Sequence, residues 1–173
     1  MPKHFDFEPI ETWYSGHLCR SRLEARWLKF LDGMSIKFFY EYEGFQFEGG
    51  TRYLPDLWFP SVDTWAEIKP VQFNSDEDSK VKMLAQLVGR PVLKLIGLPD
   101  FCLYETVLWQ PDVGAFLDGL YSSLDVAWHR RAFEKDHRLW TEQSPLPELG
   151  EQDHSEAYVK SVYIAKSARF ELF

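Results

Sequence analysis

Hydrophobic and polar positions fall into blocks of different period along this chain. Leu23, Trp27, Phe30 and Leu31 recur at helical spacing after Ser21, and Gly33 follows them. That pattern predicts an amphipathic helix from an N-cap at Ser21 to about Asp32, with Gly33 just beyond its end. Ile36–Tyr42 is aromatic-rich and loosely alternating, which predicts a strand that Gly44 breaks. Phe45–Phe47 reads as a short strand and Gly49-Gly50 as a turn. Leu57, Trp58 and Phe59, then Thr64, Trp65 and Ile68, suit two strands around a turn-like Pro60-Ser-Val-Asp63, so a β-hairpin is expected. Pro70 ends the pairing. Asn74-x-x-Glu77 is a capping box ahead of Val81, Leu84, Ala85 and Val88, which share one face, and Gly89 closes that second helix. Pro91–Ile96 is a mostly apolar strand. A helix between two strands predicts a crossover that leaves the last strand parallel to its partner.

Outside this block the periodicity weakens. Residues 1–14, with Pro2 and Pro9, are expected to be irregular, and 97–125 mix Pro, Gly and aromatics without a clear period. Trp128–Trp140 is a charged helix by pattern, and Thr141–Asp153, with Pro145 and Pro147, a linker. Ser155–Phe170 closes the chain as a helix whose stripe of Ala157, Ser161, Ile164, Ala165 and Ala168 suits close packing on the core or against a second copy. The expected whole is one domain over 1–173, with a core over about 15–97 and a C-terminal helical extension over about 126–173. Its class is α/β (α+β), a mixed central β-sheet flanked by helices.

The hairpin carries the chemistry. With Ser61 and Val62 at the tip of the turn, Asp56 lies opposite Glu67, and Leu54 opposite Lys69. Opposed residues share a face, as do residues two apart on a strand, so Asp56, Glu67 and Lys69 point the same way. Two facing carboxylates repel, and a divalent cation between them turns that cost into a binding site. A lysine beside them stays charged and is suited to stabilising a negative transition state or orienting a water. The plainer alternative is a surface hairpin with a cross-strand Glu–Lys ion pair. Glu24 falls at the edge of the first helix's buried stripe, beside Leu28 and Leu31, where a lone carboxylate needs a partner. Ser21-x-x-Glu24 offers one as a capping box, with Glu24 reaching back to the Ser21 amide.

Pro55-Asp56, ten intervening residues and then Glu67-Ile68-Lys69 resembles the signature of the PD-(D/E)XK nuclease superfamily. The wording Arg20-Ser-Arg-Leu-Glu-Ala-Arg-Trp27, Thr51-Arg-Tyr-Leu-Pro-Asp56 and Glu67-Ile-Lys-Pro70 is most similar to small phage and prophage members, over roughly residues 15–97. The resemblance implies a restriction-endonuclease-like core and a metal-dependent endonuclease acting on DNA, with branched, recombination or repair intermediates among its substrates. Asp56 and Glu67 would hold the metal, Glu24 would be a third carboxylate, and the backbone carbonyl of Ile68 a further ligand. Hard oxygen ligands favour Mg2+, with Mn2+ as a substitute. Lys69 would position the attacking water or stabilise the pentavalent phosphorus. Many relatives act as homodimers. A non-catalytic nucleic-acid-binding or inhibitory phage protein that keeps the fold is the alternative, and the intact Asp56, Glu67 and Lys69 speak against decay.

Composition bounds these readings. Hydrophobic residues make up 45% of the chain, which fits a globular domain and not a disordered one. No apolar run is long enough to span a membrane, and no basic-then-apolar N-terminus suggests a signal peptide. Cys19 and Cys102 form neither a zinc spacing nor a disulfide framework, so a reducing cytoplasm, bacterial or phage-infected, is expected. The net charge of −8 works against a nucleic-acid binder. Arg20, Arg22, Arg26 and Lys29 nevertheless group on the Glu24 helix, either as local phosphate contacts or as an ordinary solvated face. Lys80, Lys82 and Gln86 on the second helix are expected to face solvent. His129 and His137 lack the partners of a metal site. No Gly-rich phosphate loop, Gly-x-Ser-x-Gly or internal repeat is present.

Overall fold

A computed structural model of the chain describes residues 9–122 and 149–170. The helix expected at Trp128–Trp140 and most of the linker after it lie outside the described residues.

Six strands form a mixed sheet in the order β10-β9-β8-β7-β6-β3. They are β3 (Phe39–Tyr40), β6 (Leu57–Phe59), β7 (Thr64–Lys69), β8 (Val92–Ile96), β9 (Tyr104–Gln110) and β10 (Ala115–Ser122). Only β7 and β8 run parallel, joined through α2 (Ser75–Val88) as the crossover pattern predicts. Two small antiparallel pairs lie beside the sheet, β1 (Thr12–Tyr14) with β2 (His17–Cys19) and β4 (Phe45–Gln46) with β5 (Arg52–Tyr53). With α1 (Arg22–Gly33) and α3 (Glu156–Ser167), the described chain is a mixed α+β fold, in agreement with the expected class.

The period-2 alternation of the strands sorts side chains to two faces. Leu57, Phe59, Ala66, Ile68, Leu93 and Leu95 pack with Trp27, Leu28 and Phe30 of α1 and Tyr158 and Val162 of α3. Trp65, Val92 and Val107 face the other way, against Val81, Leu84 and Ala85 of α2 and against Phe47. The sheet is therefore covered on both sides. Asp56 and Glu67 sit in the parity of the α2 face, at the end of the sheet nearest the start of α1.

Several expectations shift. Gly33 is the last residue of α1, not a left-handed residue beyond it, and Met34 follows in right-handed conformation. Glycine is required there by a neighbour, since a Cβ would lie 2.5 Å from Ser161 Oγ and 3.1 Å from its Cβ. The small-residue stripe of the last helix therefore packs on this chain's own α1. Ala157 and Ile164, counted in that stripe, are exposed. The strand expected over 36–42 shrinks to Phe39–Tyr40 because Glu41 turns the chain, at φ 46°. Residues 12–19, partly expected to be irregular, form a hairpin around Ser15-Gly16, both at positive φ, the two-residue turn that suits strand twist. Residues 104–122 form the β9–β10 hairpin where no period was legible, because Glu105 lies on the buried face beside Lys94. No helix among the described residues is long and apolar enough to cross a membrane.

Candidate active site

The hairpin register puts the motif together. Leu57 pairs with Ala66, Trp58 with Trp65 and Phe59 with Thr64. The ladder ends at Leu57; carried one step further, this register, the one expected, brings Asp56 beside Glu67, and the Ile68 N–H donates to the Asp56 side chain. The ladder does not continue to Leu54, because Arg52 and Tyr53 pair with β4. The turn is closed by Val62 N–H donating to Phe59 O at 3.3 Å, with Asp63 in left-handed conformation.

Three carboxylates are withdrawn from water: Asp56 is 2% exposed, Glu67 5% and Glu24 8%. Each is held by several donors, which buried charge requires. Asp56 Oδ2 accepts the Ile68 N–H at 2.7 Å, and Oδ1 lies 2.5 Å from Arg20 Nη2. Glu67 Oε2 accepts from the Tyr53 hydroxyl at 2.8 Å, and Oε1 meets Lys69 Nζ at 2.9 Å. Glu24 Oε2 accepts from the Tyr40 hydroxyl and from the Arg20 amide at 3.1 Å, while Oε1 accepts from Ser21 Oγ at 3.1 Å. The expected capping box is thus half made. Ser21 Oγ accepts the Glu24 N–H, but the Glu24 carboxylate overshoots the Ser21 amide and takes that of Arg20. This fold-back leaves Glu24 buried toward the hairpin.

The electrostatics follow from burial. Burial, then the charges of Glu67 and Glu24, push the Asp56 carboxyl up to about 8, against the Ile68 amide and Arg20. The thiol of Cys19 beside the cluster rises to about 12, through burial and then Glu24, Glu41 and Asp56. It is a neutral buried group and no nucleophile. Lys69 is pulled down by its own burial, but Glu67 first, then Asp56 and Glu77, outweigh this and hold its pKa above the ordinary lysine value. Lys69 also lies 3.7 Å from Glu77, whose other oxygen accepts the Asn74 amide in the capping box of α2. The helix start and the site lysine are therefore tied together.

Sequence reasoning missed Glu41, Tyr40 and Tyr53 and the carboxylate partners of Arg20. Arg20 Nε pairs with Glu41 Oε1 at 2.6 Å, so one guanidinium bridges Glu41 and Asp56. Glu41 is fixed by its N–H donating to Asp56 O at 2.9 Å, and its positive φ is backbone strain of the kind found at functional sites. Tyr40 and Tyr53 supply hydroxyls to Glu24 and Glu67, and both phenols are pushed up, first by burial. The available signal was position: Tyr53 stands three residues before Asp56. Lys94, opposite Glu67 on β8, is buried with the three carboxylates; it pairs with Asp78 and, at 3.1 Å, Glu105, anchoring α2 to the sheet.

The three arginines expected to face DNA separate. Arg20 turns inward onto Asp56. Arg26 is engaged within the chain: its guanidinium donates to Ala165 O at 3.0 Å and to Lys166 O, satisfying carbonyls at the C-terminal end of α3. Arg22, the first residue of α1, is partly buried. Lys82, expected to face solvent, pairs with Asp78 at 2.9 Å.

Among the described residues, no group of three or more His, Cys, Asp or Glu side chains is arranged to hold a metal ion. The cause is on view. The cations of Arg20 and Lys69 already sit on Asp56 and Glu67. The donor set still fits a hard divalent cation, because the oxygens are carboxylates and one protein cation stands where an ion would be drawn. The Ile68 N–H points to Asp56 and, in an extended strand, its C=O turns to that same side. The Lys69 C=O turns to the opposite side, accepting Gly97 N–H at 2.8 Å. Compared with protein-family models and with curated proteins, the chain matches none.

Proposed function

We propose that this site hydrolyses phosphodiester bonds in DNA as a Mg2+-dependent endonuclease of the PD-(D/E)XK type, in the cytoplasm. The reading rests above all on one observation: buried Asp56 stands opposite buried Glu67 on one sheet face, with the Lys69 ammonium on Glu67. Asp56, Glu67 and the Ile68 carbonyl would hold Mg2+, or Mn2+ in its place, with Glu24 as a third carboxylate. Bound there, the ion lowers the pKa of an attacking water and neutralises charge on the phosphate. Lys69 keeps its proton and orients that water or stabilises the negative phosphorane. Tyr53 fixes one oxygen of Glu67 and Lys69 meets the other. Arg20, half exposed, holds Asp56 Oδ1, where a divalent cation would have to compete with it.

The test is cleavage with Mg2+ on duplex, single-stranded, four-way-junction, flap and RNA substrates, with Asp56→Asn alongside. Wild type is expected to cut at least one DNA, and the variant to lose at least ~100-fold in rate. No cutting of any substrate by wild type in Mg2+ or Mn2+ would defeat the reading. One observation favours a second reading, a non-catalytic DNA-binding or inhibitory protein: the Arg20 guanidinium already neutralises Asp56. That reading predicts DNA binding without divalent-cation dependence and no cleavage. A homodimer would bring two such sites to two strands. The buried part of the α3 stripe, Ser161, Ala165 and Ala168, is not its surface.

A further inference from the structure

The β4–β5 hairpin interrupts the chain between β3 and β6, and its register shows what it delivers. Gln46 pairs with Arg52 and Phe45 with Tyr53, so alternation turns the first pair to one face and the second pair to the other. Gln46 and Arg52 are exposed, whereas Phe45 and Tyr53 pack on the core. The Tyr53 ring stacks on Phe47 with centroids 5.9 Å apart, and Phe45 stands edge-on to Trp65 at 5.0 Å. At the hairpin tip Phe47 N–H donates to Thr51 O at 2.8 Å, and Gly50 N–H to Phe47 O at 3.0 Å. Ring packing and a closed turn therefore fix where the Tyr53 phenol points. It points at Glu67, donating its hydroxyl to Oε2 at 2.8 Å.

The three buried carboxylates are held in different ways. Asp56 accepts the Ile68 amide, and Glu24 accepts the Arg20 amide, so the backbone orients both. Among the described residues, Glu67 is held by side chains alone, Tyr53 on Oε2 and Lys69 on Oε1. Lys69 is the cation assigned to the reaction, which leaves Tyr53 as the neutral group that orients this carboxylate. A glutamate side chain is flexible, and an ion must order it on binding unless hydrogen bonds have done so beforehand. The plainer role for Tyr53 is to satisfy a buried carboxylate and add stability only.

We propose that Tyr53 is a positioning residue for the divalent cation, its hydroxyl setting the orientation in which Glu67, with Asp56, receives the ion. The β4–β5 hairpin is then a working part of the metal site. The inference rests on the nuclease reading above.

The test is Mn2+ affinity of the whole chain, measured by electron paramagnetic resonance titration. Tyr53→Phe keeps the ring that stacks on Phe47 and removes only the hydroxyl. It should bind Mn2+ ~10-fold more weakly than wild type. Tyr158→Phe is the control for general loosening. Tyr158 is fully buried on the opposite side of the sheet, and its hydroxyl donates to Asp100 O at 2.7 Å. That variant should melt lower than wild type and still bind Mn2+ within twofold of it. A second readout leaves the hydroxyl in place and carries the test if Tyr53→Phe does not fold. With a fluorine on the Tyr53 ring, Mg2+ should shift the fluorine NMR signal, and the same label in Asp56→Asn should stay unmoved. Tyr53→Phe binding Mn2+ within twofold of wild type or more tightly, an equal loss in Tyr158→Phe, or a fluorine signal indifferent to Mg2+ overturns the positioning role. If wild type binds Mn2+ and cuts DNA in that case, the nuclease reading stands without it. If wild type neither binds Mn2+ nor cuts any DNA, both fall.

Discussion

Asp56 concentrates the tension of the site in one residue. Burial and the neighbouring carboxylates hold its carboxyl pKa near 8, against an ordinary value below 4. A carboxyl whose folded pKa is raised binds its proton more tightly when folded. Its contribution to stability is therefore full below about pH 4 and is lost as pH rises toward 8. Metal-free wild type should lose melting temperature across that window, and Asp56→Asn should flatten the slope and melt at least ~3 °C higher at pH 8. Parallel slopes for the two proteins in thermal melts would mean that Asp56 titrates normally. Arg20 makes a second case. Because its guanidinium occupies Asp56 Oδ1, it competes with any divalent ion. Arg20→Gln should bind Mn2+ more tightly, by roughly 10-fold, in an electron paramagnetic resonance titration. Weaker binding would show that Arg20 organises the carboxylates and does not compete for them. Asp56, Glu67 and Lys69 were legible in the chain because a two-residue period and a short turn determine which side chains face each other. Arg20, Glu41 and Tyr40 were not, because their approach depends on how α1 and the bend at Glu41 fold over the hairpin.

Elements hold this geometry through close packing. The α1–α3 contact depends on Gly33 meeting Ser161, and on Arg26 donating to the last carbonyls of α3. Gly33→Ala should cost about 1–3 kcal/mol by overpacking, read as a lower midpoint in urea unfolding. A gain in stability, the usual effect of Gly→Ala in a helix, would mean that the two helices separate freely. Around α2 the capping box does two jobs: Glu77 satisfies the Asn74 amide and lies near Lys69. The helices were legible from their caps and apolar periods. The reason for Gly33 was not, since a glycine at a helix end signals a left-handed cap equally well. The β9–β10 hairpin escaped notice for a related reason. Its Glu105 looks solvent-facing in sequence and is instead the partner of buried Lys94.

For the whole molecule, charge is the constraint. The net charge of −8 works against contact with a phosphate backbone, and the guanidinium groups of Arg20 and Arg26 are engaged by Asp56 and by carbonyls of α3. Binding to DNA should therefore depend on the ion that bridges carboxylates and phosphate. Ca2+ should raise affinity at least ~10-fold over chelator, with a shallow salt dependence because few phosphates are contacted by side chains. Affinity unchanged by Ca2+, with a steep salt slope, would move the DNA contact away from this site. The central claim is that Lys69 serves the reaction and not merely an ion pair on a hairpin. Single-turnover cleavage in saturating Mg2+ tests it most directly, comparing wild type with Lys69→Ala on the best-cut substrate. A loss of at least ~100-fold in rate is expected from a variant that stays folded and still binds Mn2+. A variant that cuts within a few-fold of wild type would contradict it.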